Sequence, residues 1–290
     1  MSSTISTKNV IILLETQQKL IRVGLPEVTG FSDMNIADYL VVPSQLRNLL
    51  GVTFEVSTHK DTDHVCSAIA QAASNLSSIH LRFTAQGDNP FFHRLSVPVH
   101  WPSSRSVLFS LATKLTILDY NLRDIACSIS MSMFPELRAL AVVDCENDFS
   151  FLHRVRPTQF PKMRAFMYKT ADHTTYFPDV RLARFIQGLN GLRELVILGV
   201  GSGFLDGASL LSHAQTLELL CLHPKLRGSV FKTSGDRCSC LTTMTTLRHL
   251  SLYIGDLTCR MSSTGTTCSE STLAKISVCP ALQVHLRSRG

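Results

Sequence analysis

The fold class this sequence predicts is an α/β solenoid, a parallel sheet with helices on its outer side. Three observations predict it: a short apolar phrase that keeps returning, a spacing between copies that suits structural repeats, and helix-like stretches between them. The clearest copies are Leu137-x-x-Leu140-x-Val142, Met163-x-x-Phe166-x-Tyr168, Leu192-x-x-Leu195-x-Ile197, Leu217-x-x-Leu220-x-Leu222 and Leu247-x-x-Leu250-x-Leu252. Looser copies precede them at Leu20-x-x-Val23-x-Leu25, Leu49-x-x-Val52-x-Phe54, Leu76-x-x-Ile79-x-Leu81 and Leu115-x-x-Leu118-x-Tyr120. Such self-similarity marks a stack of supersecondary units, each unable to bury its apolar face alone.

Each phrase ends in an alternation of period two, which is that of a strand with one buried face. From first anchor to first anchor the steps are 29, 27, 39, 22, 26, 29, 25 and 30 residues. Most fall near the roughly 20–29 residues of one strand plus a return segment. Helices are expected at Asp63–Ser74, Val180–Gly188, Gly207–Ala214 and Glu270–Ser277. Val65, Ile69 and Ala72 show why: apolar residues three or four apart give one side that can pack on a strand layer. The phrases run through both halves of the chain without a linker. One domain is therefore expected over residues 1–290, with about nine or ten irregular repeats. The long step holds an insertion loop at residues 87–105.

The turn into the strand carries a narrower signal. It reads Phe134-Pro135-Glu136-Leu137-Arg138-Ala139-Leu140, then Phe160-Pro161-Lys162-Met163-Arg164, then Cys279-Pro280-Ala281-Leu282-Gln283. Proline suits that place because it ends a preceding helix and has no N–H to offer a ladder. With these turns the chain resembles a leucine-rich repeat region over residues 8–290, and more narrowly the irregular repeats of fungal F-box-type proteins. The resemblance implies a curved parallel sheet with helices on the convex side. It also implies the substrate-recognition part of a ubiquitin-ligase adaptor, with ligase subunits as partners if an F-box is present. An F-box resembles a helical module opening on Leu-Pro-x-Glu and carrying a late tryptophan. Leu25-Pro26-Glu27-Val28 begins that way, but Gly30 interrupts a helix and the only tryptophan is Trp101. The F-box itself is not evident, and the chain is expected to begin inside the repeats.

Composition points to an intracellular protein, cytoplasmic or nuclear. No apolar stretch approaches the roughly 18 residues of a membrane span, so no membrane partner is expected. Val10–Leu14 follows Lys8 but lacks the small-residue cleavage site of a signal peptide. The chain has 9 cysteines, an odd number, which suits a reduced compartment. Cys66, Cys127, Cys145 and Cys279 stand where a repeat takes small apolar filling. The net charge of +6 is spread over single residues, Arg287 and Arg289 being the densest pair. Arg22, Arg82 and Lys169 are expected on outward strand positions, separated by apolar or acidic residues. That is not the clustered basic face of a nucleic-acid binder.

Motifs for chemistry do not close. Gly199-Val200-Gly201-Ser202-Gly203 follows a strand, as a dinucleotide fingerprint would, but Phe204 stands where the third glycine belongs. A turn is the simpler account, and a nucleotide-binding enzyme through Gly199–Gly203 remains the minor alternative. Val200 and Phe204 also break a nucleophile elbow around Ser202. Cys238, Cys240, Cys259 and Cys268 lack the paired spacing of a structural zinc site, and His213, Cys221 and His223 form only a loose cluster. No catalytic residue, cofactor or metal is expected.

Residues between the buried ones point to the opposite, concave face. Early in the chain these are Arg22, Gly24, Thr53, Glu55, His80, Arg82, Asp119 and Asn121, which are mostly polar. Later they are Ala139, Ala141, Val143, Ala165, Met167, Val196, Leu198, Leu219, Cys221 and Tyr253, which are mostly apolar. Two explanations of the apolar half stay open. It binds a protein partner or substrate, with Lys169, Glu194 and His249 orienting it, or it is covered by the protein's own loops or belongs to a strand read in the wrong register. Phe91, Phe92 and Trp101 in the insertion are likewise either a second part of the partner surface or caps on the core. The function expected is a non-enzymatic protein-recognition module, with a scaffold or regulatory repeat protein lacking any ubiquitin link as the alternative.

Overall fold

A computed structural model describes residues 22–24, 51–56, 66, 76–83, 109–123, 133–147, 151–152, 154–170, 180–200, 207–224, 241, 243–253 and 283–287. It is α/β, with parallel strands that follow one another in chain order and do not close into a barrel. The chain divides into two compact units, residues 1–138 with 145–147, and residues 139–144 with 148–290.

In the first unit β1 (Arg22–Gly24), β2 (Gly51–Val56), β3 (Ser78–Phe83) and β4 (Lys114–Leu118) pair in parallel, each with the next. The alternation works as expected in β3, where Ile79, Leu81 and Phe83 are buried. In β4 the structure corrects the sequence register by three residues. Leu115 lies opposite Ile79 and Ile117 opposite Leu81, so the phrase is Ala112-x-x-Leu115-x-Ile117 with Tyr120 three further on. All four are buried, while Leu118, expected in the core, is only half-buried. Asp119 and Asn121 accordingly lie beyond β4, and Thr116 and Leu118 take the outward positions. The steps around this strand become 36 residues (76 to 112) and 25 (112 to 137). The corrected phrase now matches Leu137-x-x-Leu140-x-Val142-x-x-Cys145. The match continues in the backbone: Cys145 donates its thiol hydrogen to the Ile117 carbonyl at 3.6 Å, and the Glu146 N–H donates to Tyr120 O at 2.9 Å. Aromatic pairs fill the space behind the strands, Phe83 on Tyr120 at 4.3 Å between centroids and Phe109 stacked on Phe134 at 4.7 Å.

The second unit contains β5 (Ala139–Cys145, whose last residue belongs to the first unit), β6 (Ala165–Thr170), β7 (Glu194–Val200), β8 (Leu219–Pro224), β9 (His249–Tyr253) and β10 (Gln283–Arg287). From β6 to β10 every pairing is parallel. Leu140, Leu195, Leu220 and Leu250 are all buried, as the repeating phrase predicts. Where the chain enters a strand, one carbonyl accepts two N–H groups from the next strand. Arg164 O takes Arg193 and Glu194 at 2.7 and 2.9 Å, Arg193 O takes Glu218 and Leu219 at 2.7 and 2.9 Å, and Glu218 O takes Arg248 and His249 at 2.8 and 2.9 Å. Threonines reinforce the stack, Thr216 Oγ1 donating to Leu192 O and Thr246 Oγ1 to Leu217 O, both at 2.9 Å.

Helix α1 (Val180–Gly188) has the predicted bounds, because Leu182, Ala183, Phe185 and Ile186 fall on one side and are buried. Phe185 meets Phe166 of β6 at 5.1 Å and Phe160 at 6.0 Å. The glycine that ends α1 is required by contact: a Cβ on Gly188 would lie 2.6 Å from Pro157 Cγ. Helix α2 covers Gly207–Leu211 only, shorter than the Gly207–Ala214 expected. His213 Nε2 lies 2.8 Å from the Ile186 carbonyl and Thr216 Oγ1 donates to Leu192 O at 2.9 Å, contacts that hold the residues after α2 in the turn leading to β8. Of the predicted helix at 63–74 only Cys66 is described, helical and buried. The predicted helix at 270–277 and the insertion at 87–105 lie outside the described residues.

Candidate functional site

Strand pairing sets the outward side chains of β6 to β9 in rows. One row is Ala165, Glu194, Leu219 and His249. The next is Met167, Val196, Cys221 and Ser251, and a third is Lys169, Leu198 and His223. Neighbours in a row are separated by the inter-strand spacing of about 4.8 Å, close enough for their side chains to form one surface. Glu194 and His249 are exposed, and every other member is half-buried. The core residues between them, Phe166, Tyr168, Leu195, Ile197, Leu220 and Leu222, are each at most 1% exposed. The predicted alternation is thus realised, and Met167, Lys169, Glu194, Val196, Leu198, Leu219 and His249 come together. Tyr253 ends β9, beside Arg287 of β10. Phe91, Phe92 and Trp101 lie outside the described residues.

Polar groups on the face are tied in place. The Lys169 ammonium pairs with the Asp144 carboxylate at the end of β5. His223 Nε2 and the Ser251 hydroxyl share a 2.8 Å hydrogen bond, which fixes the imidazole over the junction of β8 and β9. Ser251 was not among the outward residues read from the sequence; it alternates outward between Leu250 and Leu252, and its pairing with His223 depends on strand register. Asp144 could not be read as Lys169's partner for a different reason: it has a φ of +52° and leaves the strand alternation. Asp119 (φ +56°) and Gly199 (φ +74°) occupy the same place, two residues beyond the second buried strand residue. In each case the residue after it, Tyr120, Cys145 or Val200, returns to the core.

In the first unit the outward positions include His80, opposite Thr116, and Arg82, whose Nε lies 3.4 Å from Asp119 Oδ2. Burial, and then the positive charges of Lys114 and Arg82, hold His80 below the usual histidine pKa. The pair Arg82–Asp119 is largely exposed and worth little in stability.

Gly199 and Val200 close β7, whereas Gly201–Gly203 and the cysteines at 238, 240, 259 and 268 lie outside the described residues. Among the described residues no three His, Cys, Asp or Glu side chains are gathered as a metal site would require. Nor is any described helix long and apolar enough to cross a membrane. No protein family matches this chain, and no curated protein does.

Proposed function

We propose that this chain is a leucine-rich-repeat solenoid and a non-enzymatic protein-recognition module, with the outward face of β6 to β9 as its docking surface. One observation carries the reading: rows of partly exposed Met167, Val196, Leu198, Leu219 and Cys221 lie side by side on a parallel sheet. Contiguous apolar patches that stay partly open to solvent are where proteins meet partners. Polar groups at the edges, Lys169, Glu194 and His249, would set the orientation. The Phe-Pro turns at Phe134 and Phe160 support the narrower version, in which the chain presents substrates as part of an F-box-type ubiquitin-ligase adaptor.

The test is to change Leu198 to aspartate and measure fold and partner capture together. The expected outcome is an unchanged melting temperature with lost capture, since Leu198 is half-buried and outside the core. A variant that still captures its partners moves the site elsewhere, and one that unfolds makes Leu198 a core residue. Proximity labelling in the native host separates the two versions. Ligase subunits among the neighbours support the adaptor, and substrates or regulators without them support a scaffold.

A further inference from the structure

We propose that the partner segment docking on β6 to β9 is acidic and amphipathic, its carboxylates meeting a row of arginines at the edge of the apolar face. This inference rests on the recognition-module reading and adds the chemistry of the partner.

The charge of the chain is unevenly placed. Residues 1–138 hold 11 Lys and Arg against 11 Asp and Glu, whereas residues 139–290 hold 17 against 11. The whole net charge of +6 therefore falls in the second stretch. Geometry concentrates part of it. Arg164, Arg193, Glu218 and Arg248 each stand immediately before the first residue of β6, β7, β8 and β9. The backbone aligns them, Arg193 N–H donating to Arg164 O at 2.7 Å, Glu218 N–H to Arg193 O at 2.7 Å and Arg248 N–H to Glu218 O at 2.8 Å. The three arginines are exposed, and their row borders Ala165, Glu194, Leu219 and His249.

The row is not electrically spent on itself. Arg164 is occupied structurally, its Nη1 donating to Asn190 O and Gly191 O at 3.0 and 3.1 Å, yet those acceptors are neutral and leave its charge uncompensated. Arg193 lies 3.4 Å from Glu218, an exposed pair of low strength that a second carboxylate can share. With Arg248 added, the row carries three positive charges against one negative, and with the exposed Glu194 of the bordering row counted the edge still keeps a net positive charge. Behind it, Met167, Val196, Leu198 and Leu219 offer apolar contact. A segment that places apolar side chains on those rows brings its own flanking residues over the arginines, where carboxylates are favoured and lysines repelled. A nucleic acid is the poorer fit. It needs several basic rows and flat side chains for stacking, and the outward residues of β6, β7 and β8 include no Phe, Tyr or Trp.

The probe is a displayed library of random peptides selected against the full chain, followed by titration of the selected peptides. Enrichment in Asp and Glu beside apolar residues is expected, with affinity falling as salt is raised. Arg248→Glu should weaken the selected peptides about tenfold at low salt, and Arg248→Gln by less, since one removes charge and the other reverses it. Leu198→Asp should abolish binding. Neutral or basic peptides that are lost with Leu198→Asp but indifferent to Arg248→Glu overturn the acidic partner while leaving the recognition face intact. Peptides indifferent to both substitutions, or a library that yields none, overturn both. A polyuridine RNA that displaces the peptides at equal concentration assigns the arginine row to nucleic acid instead.

Discussion

His213 is fully buried, with Nε2 2.8 Å from the Ile186 carbonyl and Nδ1 without a hydrogen-bond partner. The neutral ring that donates through Nε2 fits this site, because the bare Nδ1 is then only an acceptor. Protonation would put an N–H and a charge where neither is answered. Burial accordingly lowers the His213 pKa, and the bond to Ile186 O only partly opposes the shift. In the unfolded chain the ring takes a proton near pH 6.5, whereas the folded site resists it. The unfolded state thus binds more protons below that pH, and stability is full above it and lost as pH falls toward the depressed folded value. The urea midpoint is expected to drop between pH 7.5 and pH 5.5, and His213→Gln should flatten that slope. His80 contributes with the same sign, so the comparison of slopes, and not the drop alone, is the check. Equal slopes in both proteins would remove His213 from the account. Gly199 is the second telling residue. With φ at +74° and Thr170 O 3.3 Å from a built Cβ, Gly199→Ala should cost about 1–2 kcal/mol in chemical denaturation.

Elements were legible where one residue type could satisfy only one register. Leu192, Leu195 and Ile197 at the entry to and within β7, and Leu182, Phe185 and Ile186 in α1, repeat at periods that no other placement buries. β4 was misread because two phrases three residues apart are both apolar in its sequence. Ala112 is a weak anchor to the eye, and Leu118 is a strong one that faces outward. Only the pairing of Leu115 with Ile79 decides between them. The end of α2 was not legible because Ser212, His213 and Ala214 do not forbid helix; the turn is held by His213 Nε2 on the Ile186 carbonyl and Thr216 Oγ1 on the Leu192 carbonyl, contacts between residues far apart in the chain. The rows of the candidate face follow from alternation and were legible, but the arginine row was not, since its members are single charges 29, 25 and 30 residues apart along Arg164, Arg193, Glu218 and Arg248. Packing of α1 gives a direct test. Phe185 touches both Phe160 and Phe166, so Phe185→Ala should cost about 3–5 kcal/mol by urea unfolding. A loss below about 1 kcal/mol would show that α1 contributes little to the core.

For the molecule as a whole, stability rests on buried apolar side chains and a backbone ladder. Among the described residues Cys66, Cys145 and Cys221 are thiols and not disulfide halves, the first two buried and Cys221 on the face. The odd cysteine count and the lack of paired ligand spacing in the sequence lead us to expect a melting temperature unchanged by EDTA or by a reducing agent. A shift of several degrees with either reagent would reveal a metal or disulfide clamp. The ladder has a consequence for how such a chain can vary. β4, β7, β8 and β9 each take their position from the carbonyl at the head of the strand before, as when Thr113 and Lys114 both donate to Ser77 O at 2.8 and 3.1 Å. Nothing in that arrangement measures the length of chain spent between the two strands. The 36 residues from Leu76 to Ala112 and the 25 from Ala112 to Leu137 lead into the same phrase, and doubling a loop adds only about 0.6 kcal/mol of closure entropy. Insertions and deletions between strands are thus cheap, while one residue added inside a strand would turn its whole buried set outward. Related chains should drift freely in length at the former places and almost never at the latter, which lets new segments be grafted without disturbing what is already built.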